Sequence, residues 1–418
     1  MEDNRVGQLG RAIRQATRSG VETRRRVLIA RAKSLLKGHR LPPGNFFQLE
    51  PLLASDPKAL ALKAAKTGPI LTGIWGDKVA IFVTSLSVAR RLLQKHRDDL
   101  NATSIDITSV VPKGIIRTME GVDHKTYRKH FSLAIAPTAF SPQEARSIVE
   151  EGLAKANADG RPDNAICEQI ALRMLLLTFV GITRQSPIHQ ELEDQFNAMA
   201  PNGFAWRVGP RQKAAFEILR SRLVALASVK EDALDPDSVL YRLAENDATD
   251  LTTIGNLIYM IEMGRFDIST FLFRIANFLG EDLSLFKRIV AGEKSDLGVS
   301  IAQAIPLEVL RLEQSERLMR SAKRDFVFDG FLFPKGAVVR ICLWEAHKDS
   351  DAFENPFSFD PERHFNTSFS GDQFCPFGMG HHQCPAADAS AQLATLFIEV
   401  YAKFRLGSQG RKPGSVSA

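Results

Sequence analysis

A mainly α-helical chain with small β-sheets, folded as a single compact domain, is what the sequence predicts, and three observations carry that expectation. Four long stretches, Ser141–Asn157, Asn164–Val180, Arg211–Ala227 and Thr253–Gly280, repeat apolar residues at helical spacing. β-Branched and aromatic runs are short and fall mainly within residues 68–84 and 326–343. No linker-like stretch and no internal repeat divides the 418 residues. The 44% hydrophobic share is ordinary for a globular chain and supports a large core. No apolar run of about 18 uncharged residues suggests a membrane-spanning helix.

Residues 1–40 read as a basic N-terminal extension, helical until Leu41-Pro42-Pro43-Gly44 stops it. This arm holds 11 Lys and Arg against three acids, or +8, while the other 43 basic and 45 acidic residues amount to −2. The overall +6 therefore belongs to the arm, and nucleic-acid binding by the body loses its support. Peripheral contact of the arm with an acidic surface, lipid or protein, is expected. An Arg-rich targeting peptide, or a helix packed on the body, are the alternatives.

The body is expected over 41–408, with a flexible tail over 409–418. Pro51–Lys66 predicts a helix, GPILTGIWG and VAIFVT two strands, and Ser85–His96 a helix with Ser85 as N-cap. Residues 97–118 lack a period and read as a long loop. The stretch Asn202-Gly203 to Pro210 interrupts the helices, a Pro/Asp/Phe-rich coil covers 349–382, and an Ala-rich helix covers 385–403. Cys167, Cys342, Cys375 and Cys384 form no CxxC pair, which points to a reducing, cytoplasmic compartment.

The segment Phe377-Gly-Met-Gly380-His-His382-Gln-Cys384-Pro-Ala386 is a glycine-bearing turn that delivers a cysteine to the start of a helix. A thiol there meets backbone N–H groups and the positive end of the helix dipole, which favour thiolate, an electron-rich metal ligand. Glu308 and Arg311 sit at i and i+3 and can pair on one helix face. Phe359-Asp-Pro361-Glu-Arg363-His-Phe365 follows, and His124 and Arg128 share a helix face through their i, i+4 spacing.

These landmarks, in this order, resemble the cytochrome P450 family over residues 50–405. The resemblance implies the cytochrome P450 fold, a heme b cofactor and Cys384 as the metal ligand. It places Phe377, Gly380 and His382 in the heme-binding loop and assigns His124, Arg128, Arg320 and His382 to the heme propionates, through charge-assisted bonds. It also implies a Glu308–Arg311–Arg363 network. Ala386 departs from the family's usual glycine at that position. No flavin or nicotinamide fingerprint follows the cysteine loop, so electrons are expected from a separate protein, a ferredoxin or a reductase.

The oxygen-activating helix departs further. Where the family reads Ala-Gly-x-acid-Thr-Thr, this chain reads Met263-Gly264-Arg265-Phe266-Asp267, followed by Ile268-Ser269-Thr270. Three readings are open. Asp267 relays protons with Thr270, in general acid work. The enzyme uses peroxide, with Arg265 holding a substrate carboxylate. Or it rearranges or dehydrates an activated substrate. Met263, Arg265 and Phe266 are the candidate substrate contacts, with residues 99–118 and 185–210 as lids. Their mixed composition fits a small, moderately apolar organic substrate, and Asp267 in an apolar pocket could also bind an amine. Monooxygenation is thus the leading expectation, and a heme-binding homologue without turnover is the remaining alternative.

Overall fold

In the computed structural model the described residues are 2–102, 107–136, 141–156, 160–199, 208–229, 234–313 and 318–408, with side chains described from Gly20 to Gly407. The expected tail at 409–418, the break at Asn202-Gly203, and residues 103–106 and 200–207 of the expected lids lie outside them. Contacts divide the chain into two compact units, each assembled from three separated segments. That interleaving is why no linker is legible in the sequence.

The first unit comprises residues 1–103, 316–357 and 369–383. Its six-stranded sheet runs β1-β2-β3-β8-β5-β4, with β1 Phe47–Gln48, β2 Ile70–Trp75, β3 Lys78–Val83, β4 Leu100–Ala102, β5 Leu318–Ala322 and β8 Val338–Ile341. β2 and β3 form the expected hairpin, in register Ile70 to Val83 through Trp75 to Lys78. β6 Phe326–Phe328 and β7 Phe331–Phe333 form a separate antiparallel pair. The helix expected over 51–66 is two helices, α2 Leu49–Ser55 and α3 Ala59–Thr67. Pro57 explains the break, because the residue before a proline favours extended backbone, and Asp56 has φ −155 and ψ 116. Helix α4, Leu86–Lys95, starts at Ser85, whose side chain accepts the Val88 N–H. Ile81, Val83, Leu92, Phe328 and Phe333 are among the buried residues of this unit's core.

Helix α1 spans Glu2–Lys37. From Gly20 onward it packs on the first unit, which agrees with the packed-helix alternative for the arm. Ala30 is buried with Val79 and Ala337. Lys33 and Lys37 both pair with Asp325, Arg26 pairs with Asp77, and Arg40 bridges to Phe331.

The second unit comprises residues 104–315, 358–368 and 384–418 and is helical. Its helices are α5 Gly121–Ile135, α6 Pro142–Leu153, α7 Asn164–Leu175, α8 His189–Met199, α9 Pro210–Ser228, α10 Val239–Glu245, α11 Leu251–Leu279, α12 Leu283–Val290, α13 Ile301–Leu312, α15 Glu362–Asn366 and α16 Ala387–Ser408. The short α14, Leu343–Ala346, belongs to the first unit. Helix α11 is the longest of this unit's helices and begins at Asp250, whose carboxylate accepts the Thr252 and Thr253 N–H groups. Ile254, Leu257, Ile258, Ile261, Leu272 and Ile275 bury its apolar stripe. Gly264 lets α7 come close, since a Cβ there would lie 3.3 Å from Leu175 Cδ1.

The described part of the first expected lid is also different. Ile107, Val110, Val111, Ile115 and Ile116 are buried in the core of the second unit. Asn256 of α11 fastens this segment: its Oδ1 accepts the Ile116 N–H at 2.8 Å, and its Nδ2 donates to Gly114 O at 3.2 Å. Residues 107–116 are packed structure because apolar side chains and a buried amide hold them, despite their lack of periodicity.

Candidate active site

The turn of α11 around Gly264 carries most of the candidate substrate and catalytic residues. At about 100° per residue, Met263, Asp267 and Thr270 share one face and Arg265 lies on the opposite side. Burial agrees: Asp267 and Thr270 are exposed, Met263 and Phe266 are half-buried, and Arg265 is fully buried. Arg265 is therefore not available as the carboxylate-holding substrate contact expected of it. Its guanidinium lies 3.3 Å from Glu262 Oε2 and 3.7 Å from Glu168 Oε1. It donates to Asn197 Oδ1 of α8 at 3.1 Å. Phe266 has its ring beneath the same guanidinium, with 4.8 Å from Cζ to centroid. Burial pushes the Glu262 carboxyl up to about 7, against the opposing pull of Arg265. The spacing Glu262-x-x-Arg265 was the available signal for this pair.

A second buried pair sits on α13. Glu308 and Arg311 are both fully buried and form a bidentate bond, Nε to Oε2 and Nη2 to Oε1, each 2.7 Å. The network does not stop there. Asp360 N–H donates to Glu308 Oε1 at 3.0 Å, Arg363 Nε lies 3.4 Å from the same oxygen, and His364 Nε2 lies 3.5 Å from Oε2. Arg311 also donates to Ser358 O at 3.0 Å. Burial pushes Glu308 up, but the bonds from Arg311 and His364 outweigh it, and the carboxyl is held below its ordinary value. His364 is a partner that sequence reasoning missed.

Cys384 is half-buried and leads through Pro385 and Ala386 into α16, which begins at Ala387. In the same unit, α5 buries His124 and half-buries Arg128, one turn apart. Burial pulls Arg128 down, and the charge of Cys384 counters it, so the cation and the sulfur act on each other. The other three thiols are disfavoured as thiolates. Burial pushes Cys167 and Cys375 up to about 12 and raises Cys342 as well.

The remaining loop residues lie in the first unit. Phe377 is half-buried, and Gly380 opens a single 3₁₀ turn that contains His382. Gly378 and Gly380 have φ +80 and +73, in the left-handed region that glycine adopts without strain. Upstream, the Cys375 N–H donates to Nε2 of the fully buried His347 at 3.1 Å, which anchors the coil that precedes the turn. His347 was not singled out as an anchor from sequence. Arg320 lies on β5, nearly buried, and its Nη1 donates to Met319 O at 2.8 Å.

Comparison with known proteins gives a family model described as Cytochrome P450 that matches residues 300–413. That segment contains the Glu308 network and the whole Phe377–Cys384 loop. The abscisic acid 8'-hydroxylase 1 of Oryza sativa subsp. japonica is 25% identical over 67% of this chain and 66% of its own length. The solved structure of a cyanobacterial CYP120A1 with retinoic acid bound superposes with TM-score 0.63, covering 87% of this chain and 92% of that one at 21% identity. The chain has the cytochrome P450 fold, and its residues 300–413 are similar to that family's model. A zebra fish cytochrome P450 solved with progesterone superposes similarly, with TM-score 0.64 at 19% identity over 84% of this chain and 91% of that one. A cytochrome P450 of family 716 from Citrus sinensis is 39% identical, but over 101 residues only. The matched stretches span 21% to 66% of these curated relatives' own length.

The residues of this chain fit a heme held through sulfur. Cys384, which leads into α16, is half-buried and within electrostatic reach of Arg128, while the other three cysteines, Cys342 at the start of α14 among them, are held as neutral thiols by burial. His124 and Arg128 of α5 add two potential partners for carboxylates in the unit that carries Cys384. Among the described residues no helix is long and apolar enough to cross a membrane.

Proposed function

We propose that this chain is a heme-thiolate monooxygenase that takes heme b through the Cys384 sulfur and oxidises a small, moderately apolar organic substrate. The observation that carries the proposal is the half-buried Cys384 that a glycine-bearing turn delivers to α16, within electrostatic reach of Arg128 of α5, in a chain whose other thiols are held neutral by burial. Bound heme would supply O₂ activation, so that one oxygen atom enters the substrate and the other leaves as water, with electrons from a separate ferredoxin or reductase. Phe377, Gly380 and His382 would shape the loop before the ligand. His124, Arg128, Arg320 and His382 would hold the propionates.

On α11, Met263 and Phe266 would line the substrate side, while the exposed Asp267 and Thr270 would pass protons from water. The name of one relative, an abscisic acid 8'-hydroxylase, supports oxidation of an organic molecule. The peroxide-driven reading is weakened, because Arg265 is committed to Glu262, Glu168 and Asn197.

The test is spectroscopic. The reduced protein with CO should give the red-shifted Soret band of thiolate-ligated heme. Cys384→Ser should lose that band, while Cys167→Ser, Cys342→Ser and Cys375→Ser should keep it. Turnover with reductant and O₂ rather than with peroxide then separates monooxygenation from the alternative.

A further inference from the structure

The two sides of α1 are different surfaces. The inward side is neutralised and packed: Arg26 meets Asp77 and Glu22, Lys33 and Lys37 meet Asp325, and Ala30 is buried. At about 100° per residue, Val21, Leu28, Ile29, Leu35 and Leu36 all fall on the outward side. They are exposed, with Leu35 at 83% and Leu36 at 87%. Arg24 and Arg31 flank this stripe, and neither has an ion pair among the described residues, although Arg31 lies over the Phe46 ring. Beside the helix is a hollow of about 700 Å³ with Val27, Leu28, Phe46 and Ile74 in its wall and Arg24 at its lining.

We propose that this outward face docks on an anionic phospholipid bilayer, with the leucines entering the headgroup–acyl boundary and the arginines meeting phosphates. An apolar stripe flanked by cations, on a helix held to the body from its other side, is the arrangement of an interfacial helix. The charge fits as well. Residues 1–40 carry +8; among the described residues, the sheet and β6–β7 side neutralise inward cations, and of the outward arginines Arg25 alone is paired, with Glu22. A second copy of the chain fits less well, because the face carries cations and would offer a copy's Arg24 and Arg31 no carboxylate beyond Glu22, which Arg25 and Arg26 already hold. The apolar hollow beside Leu28 gives room for part of an acyl chain.

The experiment is flotation of the full-length holoprotein with two kinds of vesicle, phosphatidylcholine alone and phosphatidylcholine mixed with phosphatidylserine. The native protein should bind the mixed vesicles and leave the neutral ones, and added salt should weaken binding. Leu35→Asp with Leu36→Asp should lower binding by roughly tenfold or more at unchanged thermal stability, since both side chains are already in solvent. Arg24→Glu should lower binding to the mixed vesicles specifically. Equal binding to both vesicles, or binding unaffected by these variants, overturns the proposal. So does absence of vesicle binding together with a dimer that Leu35→Asp disrupts, which would make the face a contact between copies. Absence of vesicle binding with weakened electron transfer in the variants would instead assign the face to a protein partner.

Discussion

Two Glu-x-x-Arg pairs, Glu262–Arg265 and Glu308–Arg311, are fully buried in the same helical unit, yet they are electrostatic opposites. Burial wins at Glu262, where one arginine approaches at 3.3–3.4 Å and the carboxyl rises to about 7. Partners win at Glu308, where a bidentate arginine, a backbone N–H, a second arginine and a histidine hold the carboxyl below its ordinary value. The lesson is that spacing makes a pair, but the number of bonds to the charged form decides whether a buried carboxylate stays charged. The first pair can escape strain by taking a proton near neutral pH, whereas the second has no such exit.

The largest effects should therefore come from the α13 network. Removing Arg311 as Arg311→Met, or Glu308 as Glu308→Ala, leaves buried charges uncompensated at a cost of about 3–5 kcal/mol. Little soluble holoprotein is expected, which expression yield and denaturant melts would measure. Arg363→Met should cost less, because its Nε is the more distant contact at 3.4 Å. Normal yield and stability in all three variants would remove the network from the account of this fold.

A smaller loss is expected for Arg265→Met, about 2 kcal/mol, because Glu262 can remain protonated once its cation is gone. The double variant Glu262→Gln/Arg265→Met should be more stable than Arg265→Met alone. The corresponding double change at Glu308 and Arg311 should bring no such relief, since it removes the carboxylate that Arg363 and His364 approach. Double-mutant cycles in denaturant would read this difference. Equal coupling energies at the two sites would mean that the extra partners of Glu308 contribute nothing.

The two carboxyls should also give pH dependences of opposite sign. Glu262 has a folded value above its ordinary 4.5, so between about 4.5 and 7 the folded chain holds a proton that the unfolded chain releases. Its contribution is complete below pH 4.5 and is lost as pH rises through 7, on the order of 3 kcal/mol at most. Glu308 behaves conversely: its contribution is present above its ordinary value and is lost as pH falls through the lowered folded value. Glu262→Gln should flatten the profile between pH 4.5 and 7 and leave the acid limb in place. An unchanged slope in that window would show that Glu262 does not titrate there.

The same comparison marks how far the sequence could be read. Glu308, Arg311 and Arg363 were legible because three residues at family spacing announce each other. Arg265, expected as a substrate contact, is instead buried against Glu262, although its Glu-x-x-Arg spacing is identical. Its face could be known only from Glu168 on α7 and Asn197 on α8, which fold brings to it. Strong periodicity made α9 and α11 legible to within two residues at either end. Strand β5, Leu-Met-Arg-Ser-Ala, has little intrinsic strand character and owes its state to pairing with β8 and β4. Residues 107–116 looked like a lid because the buried amide of Asn256 that fastens them lies 140 residues away from Ile116. The cysteine loop was plain in the sequence, whereas its anchor on His347 was not.

The smallest effect on stability is expected at Asp267, and it is the one that tests the proposed chemistry. Asp267 lies on the exposed face of α11, across the helix from the Glu262–Arg265 pair, so Asp267→Asn should change stability by no more than about 0.5 kcal/mol. Heme content and substrate-induced spectral change should also persist. An amide cannot take up and release a proton as a carboxylate does, so coupled turnover should fall by roughly a hundredfold. Reductant consumption should then continue into hydrogen peroxide, which a product-to-reductant ratio would reveal. Asp267→Glu should recover part of the coupling, and Thr270→Ala should lose less than Asp267→Asn, because a hydroxyl three residues on assists the relay without being its acid. If Asp267→Asn instead abolishes the substrate-induced spectral change and leaves coupling intact, the carboxylate binds a cationic group on the substrate. If neither coupling nor binding changes, the proton path runs through water alone, and α11 contributes a surface there rather than a catalytic group.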